Sequence, residues 1–211
     1  YDVGMKKQSR KEKPEPTPTV SRVLEDGTIV ELVYRAGEKR TSLVIAEANG
    51  DWRYEDEFLT RAGERLVPYS AHNNLIANEC VLLPSDVTDH GGKDRLREDV
   101  RAFLHRYTDL SPEFETIASY YVLLTWVYDA FNEVPYLRFR GDYGTGKTRG
   151  LMTIGSLCYK SFFASGASTV SPIFHTLDSF GGTLILDEAD LRFSDAKADI
   201  VKILNNGNVK G

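Results

Sequence analysis

The spacing of apolar and polar positions changes character three times along this chain. Within residues 20–83, short β-branched or aromatic runs (TIVELVY, TSLVIAEA and WRYEDEF) are separated by the turn segments AGEK and NGD. That pattern predicts a small β-rich module. Gly27 and Gly37 punctuate it, and Asn49-Gly50 is a strong hairpin signal. Beyond Pro84 the period lengthens: residues 93–107 place Leu96, Val100, Phe103 and Leu104 on one face and charges opposite, which predicts a surface helix. Ser111-Pro112-Glu113 then offers an N-cap, a first-turn proline and a carboxylate at the positive end of a helix dipole. The helix that follows, residues 114–131, is apolar almost all round and is expected to be buried. From Tyr136 onward strands and helices alternate, the order of a three-layer α/β domain.

Residues 1–19 stand apart from these patterns. Positions 5–19 carry five basic side chains, no large apolar residue after Met5, and prolines at 14, 16 and 18. Such a segment buries too little to offset its ordering entropy and reads as a flexible tether. The expected organisation is therefore a linker at 1–19, a β-rich module at 20–83, a helical segment at 84–134 and an α/β core at 135–211.

Composition narrows the function classes. With 211 residues, 41% of them hydrophobic, the chain can fill one or two ordinary cores. The 26 basic residues are outnumbered by 31 acidic ones, which argues against a protein that coats nucleic acid through a uniformly basic surface. Trp52 and Tyr54 share a strand face at period two and can stack on bases or serve packing and docking; 7 basic against 11 acidic residues in the module favour packing or docking. Two cysteines 78 positions apart and four scattered histidines suggest neither a disulfide framework nor zinc. A reduced, cytoplasmic setting is the expectation. The longest apolar stretch, thirteen uncharged residues between Glu115 and Asp129, falls short of the ~20 needed to span a bilayer. The first residues lack the order of a signal peptide and begin with Tyr1, as in a fragment or processed chain.

The segment Gly141-Asp142-Tyr143-Gly144-Thr145-Gly146-Lys147-Thr148 matches GxxxxGK[ST] in full. Its apolar lead-in, residues 136–139, is expected to be a strand, and Leu151, Ile154 and Leu157 follow at helical spacing. Glycines at 141, 144 and 146 allow positive φ and a backbone without Cβ atoms, so that successive N–H groups turn inward on phosphate oxygens. Thr145 lies within that cradle. Lys147 is suited to reach the β- and γ-phosphates of ATP, and Thr148 to place its hydroxyl on Mg²⁺. Asp142 is expected to face solvent, because an inward carboxylate would repel phosphate.

A second site follows from Gly181-Gly182-Thr183-Leu184-Ile185-Leu186-Asp187-Glu188. The unbroken apolar run fits a parallel strand covered on both faces, with the acids at its carboxyl end, where open α/β sheets bind ligands. Asp187 is the candidate magnesium residue and Glu188 the candidate for polarising an attacking water. That neighbouring acid favours hydrolysis over transfer to a metabolite. Only 40 positions separate Lys147 from Asp187, too few for the helicases named after the letters DEAD.

Together GDYGTGKT, residues 169–180, TLILDEAD and ILNNGNVKG resemble the compact P-loop ATPase domains of phage- and plasmid-encoded replication proteins, a group similar to AAA+ and superfamily-three helicases. The resemblance covers residues 136–211. It implies phosphate, magnesium and water-activating roles for Lys147, Thr148, Asp187 and Glu188, and assembly into a homo-oligomeric ring that moves along DNA. That family continues past this point with two further strands, a sensor residue and an arginine finger. A chain cut within its ATPase domain, with weak or absent turnover alone, is the corresponding expectation. Ser165 and Ser168 suit helix capping better than contact with the attacking water, and Asn205, Asn206 and Gly207 suit a helix stop better than nucleotide sensing. The alternative to a motor is a nucleotide-gated switch or loader that docks a protein partner through the β-rich module.

Overall fold

The computed structural model describes residues 13–142, 144–164 and 170–187. It is a mixed α/β chain of two compact units, Tyr1–Val33 with Arg40–Ser70, and Tyr34–Lys39 with Ala71–Gly211.

The first unit is built from strands. Strand β1 (Pro16–Thr19) lies parallel to β7 (Arg65–Pro68), and the two-residue strand β6 (Phe58–Leu59) pairs antiparallel on the other side of β7. A second sheet has the order β2 (Ser21–Val23), β3 (Ile29–Arg35), β4 (Arg40–Ala46), β5 (Trp52–Glu55). Every residue from Thr41 to Ile45 is buried in β4, and Val30, Leu32, Leu43, Ile45 and Leu66 are fully enclosed. Asn49-Gly50 makes its turn: Gly50 adopts φ +92°, its N–H donates to Glu47 O, and the Asn49 side chain accepts from Asp51 N. At the AGEK turn the left-handed position falls on Lys39 (φ 49°), not on Gly37.

Strand β1 takes in residues that the sequence assigns to the tether. An edge strand tolerates proline at alternate positions, where the missing N–H would point away from its neighbour, and Pro16 and Pro18 have that spacing. Thr19 and Val20 are buried at the end of this strand, which supplies the anchoring that the prolines do not.

The second unit takes in Tyr34–Lys39 and the chain from Ala71 onward. Helix α1 (Asn74–Ala77) buries Ile76, and Val81 bridges antiparallel to Phe162 while Leu82 N donates to Ser161 O. Helices α2 (Lys93–Tyr107) and α3 (Pro112–Thr125) pack on each other and on α4 (Lys147–Gly155). The helical segment thus shares one core with the α/β elements, made of Val100, Leu104, Ala118, Val122, Ile154 and Cys158. After α4 come β8 (Phe162–Ala164), α5 (Val170–Phe180) and β9 (Leu184–Leu186), with β8 and β9 parallel.

Ser111 caps α3 by accepting from Phe114 N, and Glu113 is held below the usual carboxylate range by its own backbone N–H and the Ser111 hydroxyl. The helix departs from expectation in two respects. It ends at Thr125, six residues before Phe131, and the chain tightens into a 3-10 turn (Tyr128–Ala130) where tertiary bonds hold it: Thr125 Oγ1 accepts from Tyr159 N and the Trp126 indole donates to Leu157 O. Nor is it buried all round, since Ile117 and Tyr120 are more than half exposed.

Candidate nucleotide site

Residues 136–139, expected as the strand before the glycine-rich loop, form no strand in the structure. They are held by side chains instead. Leu137 and Phe139 pack, with Tyr121 and Phe114 of α3, against the core of the unit, and Phe139 meets the Phe114 ring edge-on at 5.3 Å, so that α3 takes the place of a neighbouring strand.

The loop that follows leads directly into α4. Gly144 and Gly146 adopt φ +80° and +78°, the left-handed region in which a Cβ is strained. Gly141 is different from expectation: it does not have positive φ, and its requirement is steric, since a Cβ there would lie 2.9 Å from Thr145 Oγ1. Thr145 donates its hydroxyl to Asp142 O at 2.9 Å, which closes the loop on itself. The Asp142 residue is exposed, as electrostatics require.

Gly146 is the N-cap of α4 and has no side chain to satisfy the first-turn N–H groups. Those donors and the helix dipole favour an anion there. Lys147, the first residue of the helix, turns its ammonium back over the loop and donates to the carbonyl oxygens of Gly141 (2.9 Å) and Asp142. Phosphate oxygens are stronger acceptors than these carbonyls, so the exchange favours an incoming polyphosphate. Arg138, Arg140 and Arg149 surround the loop in sequence, and residues 138–149 hold four basic side chains against one acidic. This local reversal of an acidic chain was visible in the charge pattern but is diluted in the overall count.

The far motif arrives through the sheet. Gly181 and Gly182, at φ +64° and +91°, turn the chain from α5 into β9, whose Ile185 is buried against α4 at Gly155. Asp187 follows at the strand's carboxyl end, and Thr148 Oγ1 donates to its Oδ2 at 2.7 Å. Two residues 39 positions apart are thereby joined at the mouth of the loop. A hydroxyl and a carboxylate are hard oxygen donors of the kind Mg²⁺ selects, and two protein ligands suffice for an ion that keeps waters and phosphate oxygens in its shell. Among the described residues no group of three or more His, Cys, Asp or Glu side chains converges to hold a metal by itself. Glu188, Ser165, Ser168 and Asn205 to Gly207 lie outside the described residues.

Among the described residues no helix is long and apolar enough to cross a membrane. No protein-family model, no curated protein and no solved structure matches the chain.

Proposed function

We propose that the chain binds Mg²⁺·ATP between residues 141–148 and Asp187, on a P-loop α/β/α core, and hydrolyses it as a subunit of a DNA-replication motor. The observation that carries the reading is the 2.7 Å hydrogen bond from Thr148 to Asp187, because it links the two motifs where a magnesium ion would touch both. Gly141, Gly144 and Gly146 shape the loop, Thr145 braces it, and Lys147 with the first-turn amides of α4 neutralises the phosphate chain. Magnesium, when bound, supplies charge neutralisation on the β- and γ-oxygens. Glu188, next in sequence to Asp187, takes the role of polarising the attacking water. DNA as the track and assembly into a ring rest on the resemblance of the sequence motifs.

Lys147→Ala tests the binding role. The substitution removes the Lys147 ammonium from over the loop, and ATP binding is expected to be lost while the circular dichroism spectrum is kept. ATP binding by that variant at the wild-type affinity would defeat the reading. Stimulation of hydrolysis by single-stranded DNA supports the motor, whereas stimulation only by a protein partner supports the switch or loader.

A further inference from the structure

Phe139 sits between two elements that the glycine-rich loop joins. One edge of its ring meets Phe114 of α3 at 5.3 Å with the planes at 72°. The other faces α4 at Gly150, which is buried, and a Cβ at Gly150 would lie 3.0 Å from Phe139 Cε1 and 3.6 Å from Cδ1 and Cζ. Two residues after Phe139 the loop begins, and three residues before Gly150 it has ended at Lys147. The ring therefore spans the base of the loop, in contact with the helix on the far side of it. Since residues 136–139 form no strand, the ring and the packing of Leu137 on the same core take over the positioning that a sheet would give.

We infer that Phe139 is a positioning residue for the phosphate loop, and that Gly150 is glycine so that this ring can seat against α4. The inference rests on the nucleotide reading of the loop. Packed interiors transmit small displacements, and binding through several backbone amides is sensitive to shifts of a few tenths of an ångström. Adding a methyl group at Gly150 pushes the ring and lead-in away from α4 and widens the loop. Shortening the ring to leucine removes Cε1 and Cζ, the atoms nearest that methyl group apart from Cδ1. The two changes are opposite in sign and compensate each other.

The test is a double-mutant cycle in the 211-residue chain, read by titration with a fluorescent ATP analogue and Mg²⁺ and, separately, by melting temperature. Gly150→Ala is expected to weaken binding about tenfold and Phe139→Leu about threefold. The double variant is expected to bind more tightly than either single one, within about twofold of the wild type. A purely structural role would lower the melting temperature and leave the affinity of the folded protein unchanged. Should Gly150→Ala fail to fold, the comparison of Phe139→Leu with the double variant decides, since the inference requires the double to bind more tightly. Single variants that bind like the wild type, or a double variant no better than the weaker single one, would overturn the inference alone. A wild-type chain that binds no nucleotide would overturn the nucleotide reading and this inference with it.

Discussion

A Cβ added at Gly182 would lie 2.4 Å from the Lys160 carbonyl oxygen, and the residue's φ of +91° is itself strained for any other amino acid. Gly182→Ala is accordingly expected to cost roughly 3 kcal/mol, from the left-handed backbone and the backbone clash together, and a denaturant titration against the wild type measures it. Cys158 carries a different kind of constraint. Burial pushes its thiol from an ordinary value of 9.0 up to about 11, against the smaller effect of a hydrogen bond with Thr125. In the unfolded chain the thiol ionises first, so the stability tied to the neutral thiol is complete below about pH 9 and is lost as pH rises towards 11. The stability difference between wild type and Cys158→Ala should therefore narrow between pH 8.5 and 11. At pH 8 iodoacetamide should label the exposed Cys80 and reach Cys158 only after denaturation, as mass spectrometry would resolve.

Local chemistry fixes the ends of elements, and those ends were legible in the sequence wherever the cause is short-range. Ser111-Pro112-Glu113 marks the start of α3 because the cap is made within three residues, and Ser111→Ala is expected to lower stability by about 1 kcal/mol in thermal unfolding. The amphipathic spacing of Lys93–Tyr107 likewise gives α2, with Val100 and Leu104 inside. Gly144 and Gly146 could be read as left-handed positions because the motif itself demands a tight turn. What could not be read depends on partners far away in sequence. The end of α3 is set by Leu157 and Tyr159, the glycine at 150 by Phe139, and the pairing of Pro16–Thr19 by β7. Gly141 shows the same limit at one residue, its Cβ being excluded by a threonine hydroxyl and not by φ.

At the scale of the whole molecule, the chain comprises a strand-built unit and a helix-rich unit with one apolar core under the glycine-rich loop. In the second unit the α2–α3 pair packs on α4, and α4 in turn packs on β9, so the loop and Asp187 are presented by elements that share contacts. Under the proposed function, Thr148 and Asp187 form one magnesium-dependent nucleotide site with the loop. The most direct measurement is the affinity for ATP, with Mg²⁺ and with EDTA, of the wild type, Thr148→Ser, Thr148→Val and Asp187→Asn. Mg²⁺ is expected to tighten binding to the wild type and to Thr148→Ser by about tenfold or more, and to leave binding to Thr148→Val and Asp187→Asn nearly unchanged. Binding that is indifferent to Mg²⁺ in the wild type, or an undiminished Mg²⁺ effect in both disabled variants, would contradict the account.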